Sequence, residues 1–261
     1  MANELNKIIN RASRQINATD AQIEAFVLRL EKFLDHNLEE IVGKVEIGET
    51  SGKEAAKILG ALFTELQKAG LNEEIGRLRA IYAEELRFVR DELIEQDFEK
   101  PFTDADSAGV NALVNNSLDQ VATRVTQYGL DIQSTVMQSV LTGQEVDYKA
   151  IKEQYGNAVA SNIKTEVGTA VSAFNATINA TKAEELGLDL FLYVGPVDKI
   201  TRPFCKHLLE NRQPPIYTKD EISQMDNDQN LDVLIYRGGY NCRHHWRAIS
   251  EGFAKELGYK G

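Results

Sequence analysis

The distribution of proline divides the chain into two parts of different character. Only Pro101 interrupts the first 195 residues, whereas Pro196, Pro203, Pro214 and Pro215 fall within the next twenty. Proline lacks a backbone donor and blocks helix continuation. The proline-poor stretch therefore favours long helices, and the proline-rich stretch favours turns and short elements. We expect a helical front and a mixed C-terminal part that begins near Gly187.

Residues 1–100 carry apolar stripes at helical spacing, which predict a helical bundle. The clearest stripe consists of Ile23, Phe26, Val27, Leu30, Phe33, Leu34, Leu38, Ile41 and Val42. Ser51 followed by Glu54 is a typical start signal for a second helix, and Gly70 is a typical stop. A third helix is predicted over about 72–97.

Residues 101–186 have the pattern of a long helical hairpin with its turn near "TGQEVD". One narrow stripe is formed by Val114, Leu118, Val121, Val125, Tyr128 and Ile132. The answering stripe is formed by Val159, Ile163, Val167, Ala170, Phe174 and Ile178. Narrow stripes suit the pairing of two helices. The pattern fits both an ordinary core pair and an exposed docking surface.

Residues 187–261 predict a small α+β domain of short elements. "LDLFLYV", "LDVLIYR" and "WRAIS" are predicted strands, and "RPFCKHLLENR" and "EGFAKELGY" are predicted short helices. The whole chain is therefore predicted to be α+β and predominantly α. Its three parts are a helical region (1–100), a long helical hairpin (101–186) and a small α+β domain (187–261).

Charge and composition exclude several classes of function. The net charge is -11, and residues 186–261 are balanced, with 10 basic and 10 acidic side chains, so the acid excess lies in the helical front. An acidic surface gains nothing from counterion release, which argues against strong general binding of nucleic acid. No apolar run reaches the roughly 18 residues of a spanning helix, and membrane insertion is not expected. Two cysteines in 261 residues favour a cytosolic protein with reduced thiols.

Both cysteines and three of the four histidines lie in two short segments, "TRPFCKHLLENRQPP" and "RGGYNCRHHWRAIS". Thiolate and imidazole are preferred zinc ligands. The candidate metal ligands are Cys205, His207, Cys242 and His245, with His244 as the alternative to its neighbour. The Cys-x-His spacing fits poorly, because helical residues two apart point roughly 200° from each other.

Three other interpretations of these segments stay open. The cysteines are also suited to a reduced, buried pair beside Trp246, or to a Cys205–Cys242 disulfide in an assembled extracellular particle. The third interpretation is a catalytic site, such as that of a metal-dependent nuclease with a small basic patch. The patch would consist of Arg202, Arg237, Arg243 and Arg247. Such arginines more commonly pair with carboxylates.

The order of residues in about the last hundred positions resembles the minor head proteins of tailed bacteriophages, of the Mu F-like head-morphogenesis type. The resemblance runs through "NIKTEVGTAVSAFNATINATKAEELGL", then "YVGPVDKITRPFCKHLLENR" and then "RGGYNCRHHWRAIS". The matching positions are Thr165, Glu166, Asp198, Thr201, Arg202, Cys205, Asn241, Cys242 and Arg243. The chain departs from the commoner pattern at Gly239 and Tyr240, where His-Pro is frequent, and at His244, where a second cysteine is frequent.

The resemblance implies a structural, non-enzymatic component of a phage head. Such a protein is made in the host cytoplasm and packed into the virion, in the head interior or at the portal. Its partners would be the portal protein, the major capsid protein or the scaffold protein. A role in genome delivery is also implied.

Overall fold

A computed structural model describes residues 2–45, 51–98 and 104–260. It confirms the α+β, predominantly α fold, because long helices occupy the front and a three-stranded antiparallel sheet lies near the C-terminus. The predicted boundary at Pro101 lies outside the described residues. None of the helices within the described ranges is both long and apolar enough to cross a bilayer.

The N-terminal helices are divided differently from the sequence expectation. They are α1 (Ala2–Val42), α2 (Gly52–Gly60), α3 (Leu62–Lys68), α4 (Leu71–Gly76) and α5 (Leu78–Ile94). Ser51 caps α2, since its hydroxyl accepts from the Glu54 amide at 3.3 Å, and Gly70 adopts φ +105° as expected of a helix stop. Two helices predicted as continuous are interrupted, one at Ala61 and one at Arg77.

The two longest helices after residue 100 are α6 (Asp104–Thr142) and α7 (Tyr148–Glu185), joined through residues 143–147, where the turn was predicted. The α6 stripe is buried throughout, with Val125 and Ile132 fully enclosed. An ion pair between Arg124 of α6 and Glu166 of α7 joins the two helices.

By spatial proximity the chain forms two compact units, each drawn from separated stretches of sequence. The sheet unit contains residues 1–22, 80–114 and 168–261, and the helical unit contains residues 23–79 and 115–167. In the helical unit, Gly129 of α6 allows close approach, because an added Cβ would lie 3.0 Å from Leu62.

The sheet has the order β2-β1-β3, with both neighbouring pairs antiparallel. Its strands are β1 (Leu190–Val194), β2 (Ile216–Thr218) and β3 (His245–Ile249). Four short helices accompany it: α8 (Pro203–Glu210), α9 (Lys219–Ser223), α10 (Val233–Tyr236) and α11 (Glu251–Glu256). The predicted strands around 190–194 and 245–249 and the predicted helices around 203–210 and 251–256 agree with these bounds.

Both faces of the sheet are buried, and strand alternation assigns each side chain to one of two cores. One face carries Phe191, Tyr193, Tyr217, Trp246 and Ala248 and packs on α8 and the loops around it. The opposite face carries Leu190, Leu192, Val194, Ile216 and Ile249, and is covered by Leu5, Ile8 and Ala12 of α1 together with α11. Burial on both sides explains why β1 is apolar at every position.

The segment "LDVLIYR" was predicted to be a strand, and this prediction is wrong. Residues 233–236 form α10. The Asp232 carboxylate accepts from the backbone amides of Leu234 at 2.8 Å and Ile235 at 3.2 Å. Such capping favours a helical turn, and it outweighs the strand propensity of four apolar residues.

A side chain, rather than another strand, occupies part of the outer edge of β3. The Gln96 amide donates to the Ala248 carbonyl at 3.1 Å and accepts from the Ser250 amide at 3.0 Å. An unpaired strand edge invites association with other chains. Gln96 therefore satisfies two backbone hydrogen-bonding groups of this edge and blocks their pairing with another strand.

Replacement of Gln96 by alanine is expected to destabilise the sheet unit by about 1–2 kcal/mol, because two part-buried hydrogen bonds are lost. Urea unfolding followed by the fluorescence of Trp246 measures this change. Gln127→Ala is the matched control, since the Gln127 amide bonds only to Asp131 within its own exposed helix face. Equal stability of the two variants would contradict the assignment.

Candidate metal centre

Cys205, Cys242 and His244 converge on one side of the sheet, and we call this group the metal centre. Cys205 lies in the first turn of α8, and Cys242 ends the turn that follows α10. His244 directly precedes β3. Because side chains alternate along an extended segment, His244 shares a face with Trp246 and Ala248.

The spacing of the donor atoms matches a tetrahedral shell. Cys205 Sγ lies 3.7 Å from Cys242 Sγ, and Cys242 Sγ lies 3.8 Å from His244 Nδ1. With ordinary zinc bond lengths a tetrahedron has an S···S edge of about 3.8 Å and an S···N edge of about 3.6 Å. The three donors all lie within 4.8 Å of one another. The residues present therefore fit a zinc ion.

The metal centre is closed to solvent. Cys205 is 1%, Cys242 4% and His244 3% exposed. Two glycines allow the surrounding backbone to approach: a Cβ at Gly238 would clash with Cys205 Sγ, and one at Gly195 would clash with the His244 ring. Glycine is required at both positions by this close approach.

The two thiols are not equivalent. A hydrogen bond from the Cys205 thiol, and after it His244 and the Arg237 guanidinium, lowers the pKa of Cys242. The Gly238 amide also donates to Cys242 Sγ at 3.4 Å. The same interaction with Cys242, followed by burial, raises the pKa of Cys205. A thiolate at Cys242 would be suited to bind a cation.

A buried arginine holds the Cys242 turn against α7. Arg237 is 2% exposed, and its Nη1 donates to the Ser172 carbonyl at 2.9 Å. The Ser172 hydroxyl donates to the Cys242 carbonyl at 2.7 Å. The Asn241 amide donates to the Thr169 hydroxyl at 3.0 Å. These bonds fix the position of Cys242 relative to the helix.

Two residues of the predicted ligand set lie outside the metal centre. His207 is on the exposed side of α8, two residues and about 200° around the helix from Cys205. His245 is buried on the opposite face of the sheet from Trp246, and burial lowers its pKa to about 3, so that it is neutral. His244, the alternative ligand, is the histidine that joins the two cysteines.

Most of the motif residues that carry the family resemblance hold the loops beside the metal centre. The Asp198 carboxylate accepts from the Ile200 amide at 3.0 Å and pairs with Arg243. The Thr201 hydroxyl accepts from the Asp198 amide at 2.9 Å, and Arg202 donates to the Tyr240 carbonyl. These contacts join the loop after β1 to the loop before β3.

Thr165 and Glu166, the other two motif residues, belong to the helical unit. Glu166 pairs with Arg124, as described above. This contact supports the packing of α6 on α7.

Several residues around the metal centre gave no signal in the sequence. Gly195 and Tyr193 stand at the end of an apolar strand, and Ser172 lies in a helix rich in small polar residues. The sequence indicates Arg237 only as one of the arginines of a small basic patch. Its φ of +49° is a strained conformation for arginine, and this strain marks it as a fixed structural element.

The arrangement is suited to structural metal binding. A catalytic zinc keeps a coordination position open to water or substrate, and three donors with exposures of 1–4% offer no such access. Comparison of the chain with protein-family models, with curated proteins and with solved structures found no match.

Proposed function

We propose that this protein is a structural minor head component of a tailed phage, acting in head assembly at the portal or inner capsid. The proposal is supported by the contacts that the residues of the family resemblance make in the structure. Asp198, Thr201, Arg202 and Arg243 bond to one another or to neighbouring backbone, beside a centre that is closed to solvent. Such residues build a rigid module, which suits assembly better than turnover.

We further propose that the metal centre binds one zinc ion. Two thiolates and an imidazole are preferred zinc ligands. The distances between their donor atoms fit a tetrahedral shell. The ion would tie α8 to the segment before β3. Its role would be to close the sheet unit, because its ligands come from separate segments of the chain, namely α8 and the segment between α10 and β3.

An exposed apolar surface next to the metal centre supports contact with another virion protein. Ile200 is 74%, Val197 58% and Tyr240 54% exposed, and all three lie on the loops that Asp198, Arg202 and Arg243 hold in place. Large exposed apolar side chains on a fixed backbone are typical of interfaces. The portal or capsid protein is the proposed partner.

The charge distribution agrees with a place near packaged DNA. Acidic residues outnumber basic ones in residues 1–185, and the last 76 residues are balanced. Like charge keeps such a surface from being captured by the phosphate backbone. The helices within residues 1–185 would therefore stay free for contacts with protein.

The test is incorporation into particles. Heads from a culture that produces the phage, separated on a density gradient, are expected to contain the tagged chain together with portal protein. Ile200→Asp is expected to reduce incorporation at least about tenfold, because it places a charge in an apolar contact. Leu141→Asp is the control, since Leu141 is 75% exposed on α6 and belongs to the helical unit.

Two outcomes would count against this function. Absence of the tagged chain from both mature and immature heads would exclude a virion component. Metal-dependent cleavage of duplex DNA by the purified chain, abolished in His244→Ala, would instead favour the nuclease interpretation.

A further inference from the structure

The three donors of the metal centre occupy three corners of a tetrahedron, and the fourth corner needs a ligand. We infer that Tyr193 supplies it through its phenol oxygen. This inference rests on the zinc binding proposed above and adds a residue to the ligand set. Tyr193 lies on β1, on a strand that contributes no other ligand.

The strand register directs Tyr193 at the metal centre. Tyr193 pairs with Trp246 across β1 and β3, so its side chain lies on the same sheet face as Trp246 and His244. Its ring stacks on the His244 imidazole, with ring centroids 5.4 Å apart and an interplanar angle of 8°. The ring is therefore held directly beside one of the proposed ligands.

The Tyr193 hydroxyl is buried and has no hydrogen-bond partner among the described residues. The side chain is 0% exposed. A buried hydroxyl without a partner costs about 1–3 kcal/mol. Tyr193, Cys205 and Cys242 belong to the same buried cluster. The hydroxyl therefore lies in the cluster that holds both thiols, where a shared cation would be bound.

Three other polar side chains around the metal centre, those of Trp246, Ser172 and Tyr217, have hydrogen-bond partners. Trp246 Nε1 donates to the Val233 carbonyl at 3.0 Å. The Ser172 hydroxyl donates to the Cys242 carbonyl at 2.7 Å, and the Tyr217 hydroxyl donates to the Leu208 carbonyl at 2.7 Å. Arg237 carries a positive charge and offers no lone pair. Tyr193 is thus the oxygen donor that remains.

The test uses Co²⁺ as a spectroscopic probe in the full chain, with Tyr193→Phe as the variant. Phenylalanine keeps the ring that stacks on His244 and removes only the oxygen. The variant is expected to change the position and intensity of the cobalt d–d bands. It is also expected to weaken Zn²⁺ binding at least about tenfold in competition with a chromophoric chelator.

Tyr217→Phe is the matched control, because Tyr217 is an equally buried tyrosine on the same sheet face whose hydroxyl bonds to backbone. It is expected to leave the spectrum and the affinity unchanged. Cobalt spectra and zinc affinities that are identical in wild type and Tyr193→Phe would overturn the inference and assign the fourth position to water. A wild-type chain that binds neither ion would overturn the zinc proposal itself.

Discussion

Replacement of Arg247 by methionine is expected to lower the free energy of unfolding of the sheet unit by about 3–5 kcal/mol at pH 8. Arg247 Nε lies 2.7 Å from Glu92 Oε1, and both side chains are 4% exposed. Removal of the guanidinium leaves a buried carboxylate without its counter-charge. Urea unfolding monitored by Trp246 fluorescence measures the loss.

The loss should depend on pH in a defined direction. Burial raises the pKa of Glu92 to about 7, although Arg247 opposes this shift. The pKa in the variant is higher still, so the folded state keeps a proton that the unfolded state releases above its ordinary pKa. Stability of the variant therefore falls as pH rises from about 5 to 8, and the difference from wild type is smaller at pH 5.

A second substitution separates the missing charge from the missing packing. Glu92→Leu in the Arg247→Met background removes the buried carboxylate that has lost its counter-charge. This second substitution is expected to recover a large part of the lost stability at pH 8. The double variant should also show a weaker dependence on pH. Equal losses in the single and double variants across the pH range would refute the buried-pair explanation.

Removal of the proposed zinc ion is expected to have an effect of similar or greater size on the stability of the sheet unit. Structural zinc in small peptides contributes roughly 10 kcal/mol or more of apparent binding free energy near pH 7. A chelator, or Cys242→Ser, should therefore release one zinc per chain and unfold the segments around α8 and β3. Native mass spectrometry gives the metal content, and Trp246 fluorescence reports the fold.

The matched control for this experiment is His207→Ala. His207 was part of the predicted ligand set, but it is exposed on α8. The variant should keep its zinc and its stability. Loss of zinc from His207→Ala with retention in a His244 variant would reverse the proposed ligand assignment, and a wild-type chain without metal would contradict zinc binding altogether.

The helical part of the fold was predictable because its signal is local. Stripes such as Val125 and Ile132 in α6 repeat at helical spacing over many turns, and both residues are buried as expected. The breaks at Ala61 and Arg77 each follow a glycine, Gly60 and Gly76, and glycine weakens a helix interior. The apolar stripes alone do not reveal these breaks.

The sequence predicts both cysteines of the metal centre, but it does not decide which histidine joins them. The choice between His244 and His245 depends on which sheet face each side chain occupies, and a strand buried on both faces gives no alternation to reveal this. The exclusion of His207 depends on where α8 begins. Tyr193 carried no signal at all, because a tyrosine in an apolar strand is an ordinary core residue.

The segments that form the sheet unit lie far apart in the chain, and this has a consequence for biosynthesis. Leu5, Ile8 and Ala12 leave the ribosome more than 200 residues before Ile249, and the sheet face that they cover is completed only when Ile249 and the α11 segment have emerged. Contacts at such sequence separation form late and slowly. The nascent chain therefore carries an uncovered apolar stripe until Ile249 has been synthesised, and a chaperone that shields such stripes is expected to raise the yield of folded protein.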